Sequence, residues 1–182
     1  MIIALIHQSM VGFSHHAVKV ATGKASVESA MSDKIVINRC EDFRRLKGKR
    51  IIDSDPVTIT TEGIQDFCRG TGNDEWIHWD EERCKASPFG ALIAPGLYLP
   101  ALFPTLFWEV MEINLPRMIV KGIDGIRILK PVTVGSRICC RATVEKVLDR
   151  DTGIEVHYGI SFSFADTAEP AAVATFINRY WD

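Results

Sequence analysis

From Ala86 to Trp108 the chain carries no charged side chain, a run long enough to cross a bilayer. The same stretch holds Pro88, Pro95, Pro100 and Pro104, with Gly90 and Gly96 among them. Proline removes a backbone donor and crowds the preceding turn, so four of them are hard to reconcile with a lipid-facing helix. The run therefore reads as a core element of a protein that does not insert into membranes. Its second part, Gly96–Val110, is apolar on every side, which predicts a helix wrapped by the rest of the fold. Pro100 and Pro104 leave two geometries open. They kink this helix, or its start is delayed until Pro100 falls in the first turn.

Beyond this helix the period changes to two. Ile154, Val156, Tyr158, Ile160, Phe162 and Phe164 alternate with smaller or polar neighbours, and so do Ile138, Cys140, Ala142 and Val144. Met118–Leu129 and Ala171–Trp181 are strand-like with less regular alternation. Lys130–Gly135, Asp149–Gly153 and Asp166–Pro170 supply the turns. Four long strands after one buried helix predict an α+β fold, with a curved antiparallel sheet around a long central helix.

Upstream, Lys47–Thr60 is basic and then β-branched, which predicts a first strand. Thr60 caps a helix whose apolar face is Ile64, Phe67 and Cys68 and which ends near Gly70–Gly72. A short helix starts at Asp80-Glu81-Glu82 and stops before Ser87-Pro88. Arg44, Arg45, Lys47, Lys49 and Arg50 form a charge run, read as a solvated face or as a contact for a phosphorylated ligand.

The 182 residues, 47% of them hydrophobic, suffice for one ordinary core. A net charge of −2 argues against a general nucleic-acid binder. Five cysteines, an odd number without a C-x-x-C pair, fit a reduced, cytoplasmic protein with no zinc site. Cys139-Cys140 lies within a strand and reads as packing. Residues 1–33 differ from the rest and are expected to form a flexible N-terminal extension to a domain spanning 34–182. Met1–Ile6 makes a poor secretory signal, having no basic start. Val11–Ala30 lacks the arginines of a transit segment, and His15-His16 has no third metal-ligand candidate nearby. Met31-Ser-Asp-Lys resembles an ordinary protein start.

Gly72–His78 concentrates a glycine, an amide, two carboxylates, an aromatic ring and a histidine between two helices. No P-loop, G-x-S-x-G or H-E-x-x-H occurs, and Gly70-x-Gly72 lacks the third glycine of a dinucleotide fingerprint. From composition alone the segment is either a site or a capped loop in which His78 bonds a backbone carbonyl.

Phe67–Ala86, followed by Ser87-Pro88-Phe89-Gly90 and Ile93-Ala94-Pro95-Gly96, resembles the MaoC-like acyl dehydratases, in particular the nodulation-protein-N-like branch of (R)-specific enoyl-CoA hydratases. Gly122–Ser136 resembles that family's P-V-x-V-G-S segment, and the likeness runs over about residues 45–182 in order. The resemblance implies a hotdog fold. It implies hydration of a trans-2-enoyl thioester, or the reverse dehydration of a (R)-3-hydroxyacyl thioester, without metal or redox cofactor. The acyl group would arrive on coenzyme A or a carrier protein. His78 matches the family histidine, and Gly96 matches the glycine whose N–H polarises the thioester carbonyl. Asn73 stands where the family has its catalytic Asp, and an amide cannot take that proton. Asp74 is the adjacent candidate base. Pro95 replaces the usual histidine before Gly96. The alternatives are a non-catalytic thioester-binding protein that lost the catalytic Asp or a hotdog thioesterase, against which counts the lack of the carboxylate it would need between Gly96 and Trp108. Edge-to-edge pairing of hotdog sheets implies a homodimer or a dimer of dimers.

Overall fold

The computed structural model describes residues 34–182; the expected N-terminal extension and His15-His16 lie outside the described residues. The elements are β1 (Ile35–Ile37), a 3₁₀ helix (Cys40–Leu46), β2 (Arg50–Asp53), β3 (Val57–Thr58), α1 (Thr61–Thr71), a 3₁₀ turn (Trp76–His78), α2 (Glu81–Lys85), α3 (Tyr98–Val110), β4 (Met111–Ile113), β5 (Arg117–Ile128), β6 (Arg137–Asp149), β7 (Ile154–Phe164) and β8 (Pro170–Trp181). The main sheet runs β2-β6-β7-β8-β5, with β3 also on β6, and all of its pairs are antiparallel. β1 and β4 form a separate parallel pair.

The period-two reading of the sheet holds. Ile154, Val156, Tyr158, Ile160 and Phe162 of β7 are buried, as are Ile138, Cys140, Ala142 and Val144 of β6. Cys139 and Cys140 face opposite sides in register with Ser163 and Phe162, and both thiols are free. Register shifts between Val120 and Gly122, Asp124 and Arg127, and Val144 and Lys146 accommodate extra residues, which bend strands. The inner face receives α3 through Leu99, Phe103, Leu106 and Phe107, with the Phe103 ring 4.7 Å from Phe176 and 5.8 Å from Tyr158. This is the hotdog arrangement, α+β, with helix and sheet burying one another's apolar faces.

Three expectations need revision. The Lys47–Thr60 strand is two short strands, because Pro56 has no N–H to give to a ladder; Ser54 bridges the break, its N–H bonding Cys140 O and its hydroxyl accepting from Cys140 N. Helix α3 starts late enough to place Pro100 in its first turn, while Pro104 lies inside. Nor is α3 wrapped on every side, for Leu97, Ala101, Thr105 and Trp108 are exposed along one stripe. The basic run is largely neutralised within the chain. Arg44 pairs with Glu41 and Asp149, Arg45 with Asp42, and Arg50 with Asp53, which favours the solvated face over a phosphate contact.

Candidate active site

The cap and stop signals of α1 fix where the site begins. Thr60 Oγ1 accepts from Gly63 N at 3.1 Å, and the helix ends on Gly72 with φ of +69°, the left-handed region glycine favours. Gly63 serves a second purpose. A Cβ there would lie 2.4 Å from the Tyr98 hydroxyl, so the missing side chain lets α1 approach the start of α3.

Past Gly72 the chain turns tightly. Asn73 N donates to Cys68 O at 3.0 Å, and Asn73 Oδ1 accepts from Glu75 N at 3.2 Å, an Asx turn. The Trp79 indole N–H reaches back to Asn73 O at 2.9 Å. Asn73 is half-buried, and only its Nδ2 lacks a partner among the described residues. Asp74, next to it, is exposed and has no hydrogen-bond partner among the described residues.

His78 is buried, with 4% of its surface exposed. Its Nδ1 lies 2.7 Å from Ile93 O. A carbonyl only accepts, so Nδ1 carries the proton and Nε2 keeps its lone pair while the ring is neutral. The bond to a backbone carbonyl is thus present, and it leaves the other ring nitrogen without a hydrogen-bond partner among the described residues. Ile93 N in turn donates to Ile77 O at 3.1 Å, Ala94 N to Val132 O at 2.8 Å and Val134 N to Leu92 O at 2.9 Å. Residues 92–94 form a rail between the histidine segment and residues 132–134.

Three residues after Ile93, Gly96 precedes α3. Among the described residues its N–H has no acceptor, and it stands where the partial positive charge of a helix start collects. Gly96 edges a cleft of about 280 Å³ whose floor is Ile93, Leu99 and Val132 and whose outer wall is Ile128, Leu129 and Lys130. A Cβ on Gly96 would meet Ile128 Cγ1 at 3.1 Å, so the glycine also keeps this wall close. His78 and Asn73 do not line this cleft; the Ile93 carbonyl connects His78 to it. The arrangement offers one lone-pair nitrogen, one amide donor, and one free backbone N–H beside an apolar cleft.

Sequence reasoning singles out His78, Asn73, Asp74 and Gly96 as candidates; the contacts around them add Trp79, Ile93 and the outer wall. Ile93 acts through its backbone, which no side-chain pattern marks. Trp79 was visible as an aromatic residue adjoining the histidine.

The family model of the MaoC like domain matches residues 42–162. The chain is 34% identical over 141 residues to 3-hydroxyacyl-thioester dehydratase Z of Mycobacterium tuberculosis, covering 76% of this chain and 93% of that protein. It is 30% identical over 146 residues to nodulation protein N of Rhizobium meliloti, covering 75% and 87%. The R-hydratase PhaJ1 from Pseudomonas aeruginosa has the same fold, with a TM-score of 0.63 at 18% identity over 75% of this chain and 82% of that one. By the extent of the family match and the identity to these relatives, the chain belongs to the MaoC-like domain family.

Proposed function

We propose that the protein interconverts trans-2-enoyl and (R)-3-hydroxyacyl thioesters, as a hydratase or dehydratase, with His78 as its single proton-transfer group. The observation that carries this is the fixed tautomer of a buried histidine, Nδ1–H held by the carbonyl of Ile93, three residues before Gly96, whose N–H has no acceptor among the described residues. In the dehydration direction, Nε2 takes the proton from C2, and the Gly96 N–H stabilises the negative charge that develops on the thioester oxygen. The C3–O bond breaks, and the leaving hydroxyl takes the proton from Nε2 to depart as water. Hydration is the reverse.

Asn73 gives this site a polarity of its own. Its Oδ1 is committed to Glu75 N, so its Nδ2 remains to donate to the C3 oxygen. Donor Asn73 and acceptor His78 are complementary to a water or hydroxyl, which accepts from one and donates to the other. Asp74 takes no part, being exposed on the loop. This chemistry requires no cofactor beyond the thioester's own carrier, coenzyme A or a carrier protein. Crotonyl-CoA and longer enoyl-CoAs, followed through loss of the conjugated thioester absorbance, test the activity. His78→Ala should lower kcat by at least about 10²-fold with the fold intact. Turnover near wild type in that variant removes His78 from the mechanism.

The same reading includes a second copy of the chain. Among the described residues β5 pairs only with β8, leaving its other edge unpaired there, and Ile119, Val120 and Ile123 on it are exposed, as is Trp108 on the open stripe of α3. An apolar, unpaired edge of this length favours pairing with another subunit. Light scattering should give twice the 20.3 kDa chain mass or a multiple of that. Val120→Asp should shift the protein to monomer; a monomeric wild type at micromolar concentration defeats the proposal. Among the described residues no helix is long and apolar enough to cross a membrane.

A further inference from the structure

We propose that Trp79 is a positioning residue for Asn73, its indole N–H acting as a clamp that fixes the amide's distance and direction relative to His78. This rests on the function proposed above and assigns a role to a residue that does not itself touch the reacting atoms.

The argument starts from the chain path. Asn73 and His78 are five residues apart on a connection with no regular structure before the 3₁₀ turn at Trp76–His78. A short, partly exposed loop of this kind has many accessible conformations, and loop order is costly in entropy. The turn by itself holds only the His78 end, through His78 N to Glu75 O and Trp79 N to Trp76 O. At the other end, Asn73 N is tied to α1 through Cys68 O. Within the loop, the Trp79 Nε1–H to Asn73 O bond at 2.9 Å is the link between the residue following the histidine and the amide residue.

Trp79 is well suited to this. It is partly buried and packs against the hydrophobic core. The Arg69 guanidinium lies over its ring at 5.9 Å to the centroid. The indole is therefore held from two sides, and its N–H is a rigid donor with no acceptor function to compete. With Asn73 O and Oδ1 both engaged, the amide plane is fixed and Nδ2 is the group left to face a ligand. Losing the clamp frees the Asn73 carbonyl, which is close enough to the surface to be solvated. The loss then falls on orientation, not on a buried unsatisfied group.

The test replaces Trp79 with Phe, which keeps an aromatic ring and deletes the donor. Hydration of crotonyl-CoA should show kcat reduced about 10-fold, the factor one neutral hydrogen bond carries, with KM changed less than about twofold. The decisive readout is the double-mutant cycle with Asn73→Ala. If Trp79 acts through Asn73, Trp79→Phe costs nothing further once the amide is gone. A Trp79→Phe enzyme with wild-type kcat, or one that loses the same factor in the Asn73→Ala background, overturns the proposal. Should Trp79→Phe fail to fold, benzothienylalanine at position 79 replaces the N–H by sulfur in nearly the same shape, and the same two outcomes apply. A wild type inactive on every enoyl thioester is recognised before any variant is made. It removes the function proposed above, and the role of Trp79 with it.

Discussion

Replacing Asn73 by Ala and by Asp gives a three-point series whose order follows from the hydrogen bonds around it. Asn73→Asp exchanges NH₂ for oxygen at nearly constant volume. The Glu75 N–H keeps its acceptor, now a charged one, and the Trp79 bond to the backbone carbonyl is untouched, so the loop should retain its shape. What changes is the free end, where a neutral donor becomes an ionic acceptor, so the water that accepted from the amide now donates a proton to the carboxylate, which suits a water that must be deprotonated in hydration. A neutral hydrogen bond contributes about 0.5–1.5 kcal/mol and one to a charged group about 1.5–3 kcal/mol, a gain near 1–1.5 kcal/mol. Each 1.36 kcal/mol is a factor of ten, so hydration by Asn73→Asp should run roughly 10-fold faster than wild type. Two effects oppose this. The site is half-buried, and Asp74 and Glu75 are neighbouring negative charges; both disfavour a new carboxylate. Asn73→Ala loses the donor and should be about 10-fold slower than wild type. The assay is initial-rate hydration of crotonyl-CoA at fixed ionic strength, with thermal melts to verify folding. The order Ala, Asn, Asp from slowest to fastest is the expected result. If Ala equals Asn, the amide does not face the reacting oxygen as argued; if Asp is slower than Asn, a carboxylate at 73 does not hold the reacting water better than the amide donor does.

Other consequences concern stability and wall packing. Gly63→Ala should destabilise the fold, because its Cβ would lie 2.4 Å from the Tyr98 hydroxyl; Tyr98→Phe in the same chain should recover most of the loss, since the ring carbon beneath is at 3.5 Å. No recovery in the melting temperature would show that the strain lies elsewhere. Glu155 is buried and bonded by Lys121, Arg150 and His157, and the Lys121 bond above all lowers its pKa from the usual 4.5 to about 2. A depressed folded-state value stabilises above the unfolded pKa, and the contribution fades as pH falls from about 4.5 toward 2. With solvent screening of the half-exposed Lys121 and Arg150 allowed for, it amounts to roughly 2 kcal/mol. Denaturant midpoints of Glu155→Gln should thus lose the acid-side slope that wild type shows there. Gly153→Ala meets both a φ of +73° and Tyr180 O at 2.1 Å, and should lower stability by at least about 2 kcal/mol in urea.

The sequence made the sheet and its helix legible because their burial has a period. β6 and β7 alternate cleanly, and their inward residues are those expected. β8 was less regular for a reason now visible: Asn178 faces inward among apolar side chains, its Nδ2 bonding Tyr180 Oη at 3.0 Å, so a polar residue interrupts the pattern. β5 gave a weak signal because it is an edge strand exposed on most of its length. The segment before Lys47 carries no such signal. Ile35–Ile37 is too short to show a period, and Cys40, Phe43 and Leu46 repeat every third residue, the 3₁₀ spacing, amid charges that suggested a surface run. Those three are buried.

The site was legible in its side chains and illegible in what aims them. His78 and Gly96 are candidates through the family resemblance, and neither residue implies the backbone rail that joins their segments. The rail explains why three separated segments must occur together. Ile77-His78 bonds to Ile93 by both backbone and imidazole, residues 92–94 bond to Val132 and Val134, and the chain then reaches Gly96 and enters α3. The Pro131–Ser136 segment is tied to this stretch by backbone bonds. It braces the strand-like stretch whose carbonyl sets the tautomer of His78, and Val132 forms part of the cleft floor. Because the bracing bonds are backbone to backbone, substitutions along the rail that preserve strand geometry should be tolerated. Proline at Ala94 is different: it deletes the 2.8 Å bond to Val132 O, and it should reduce activity far more than a side-chain change of similar size. Ala94→Val, which keeps that N–H, is the control, and equal activity in the two variants would show that the rail does not hold the histidine.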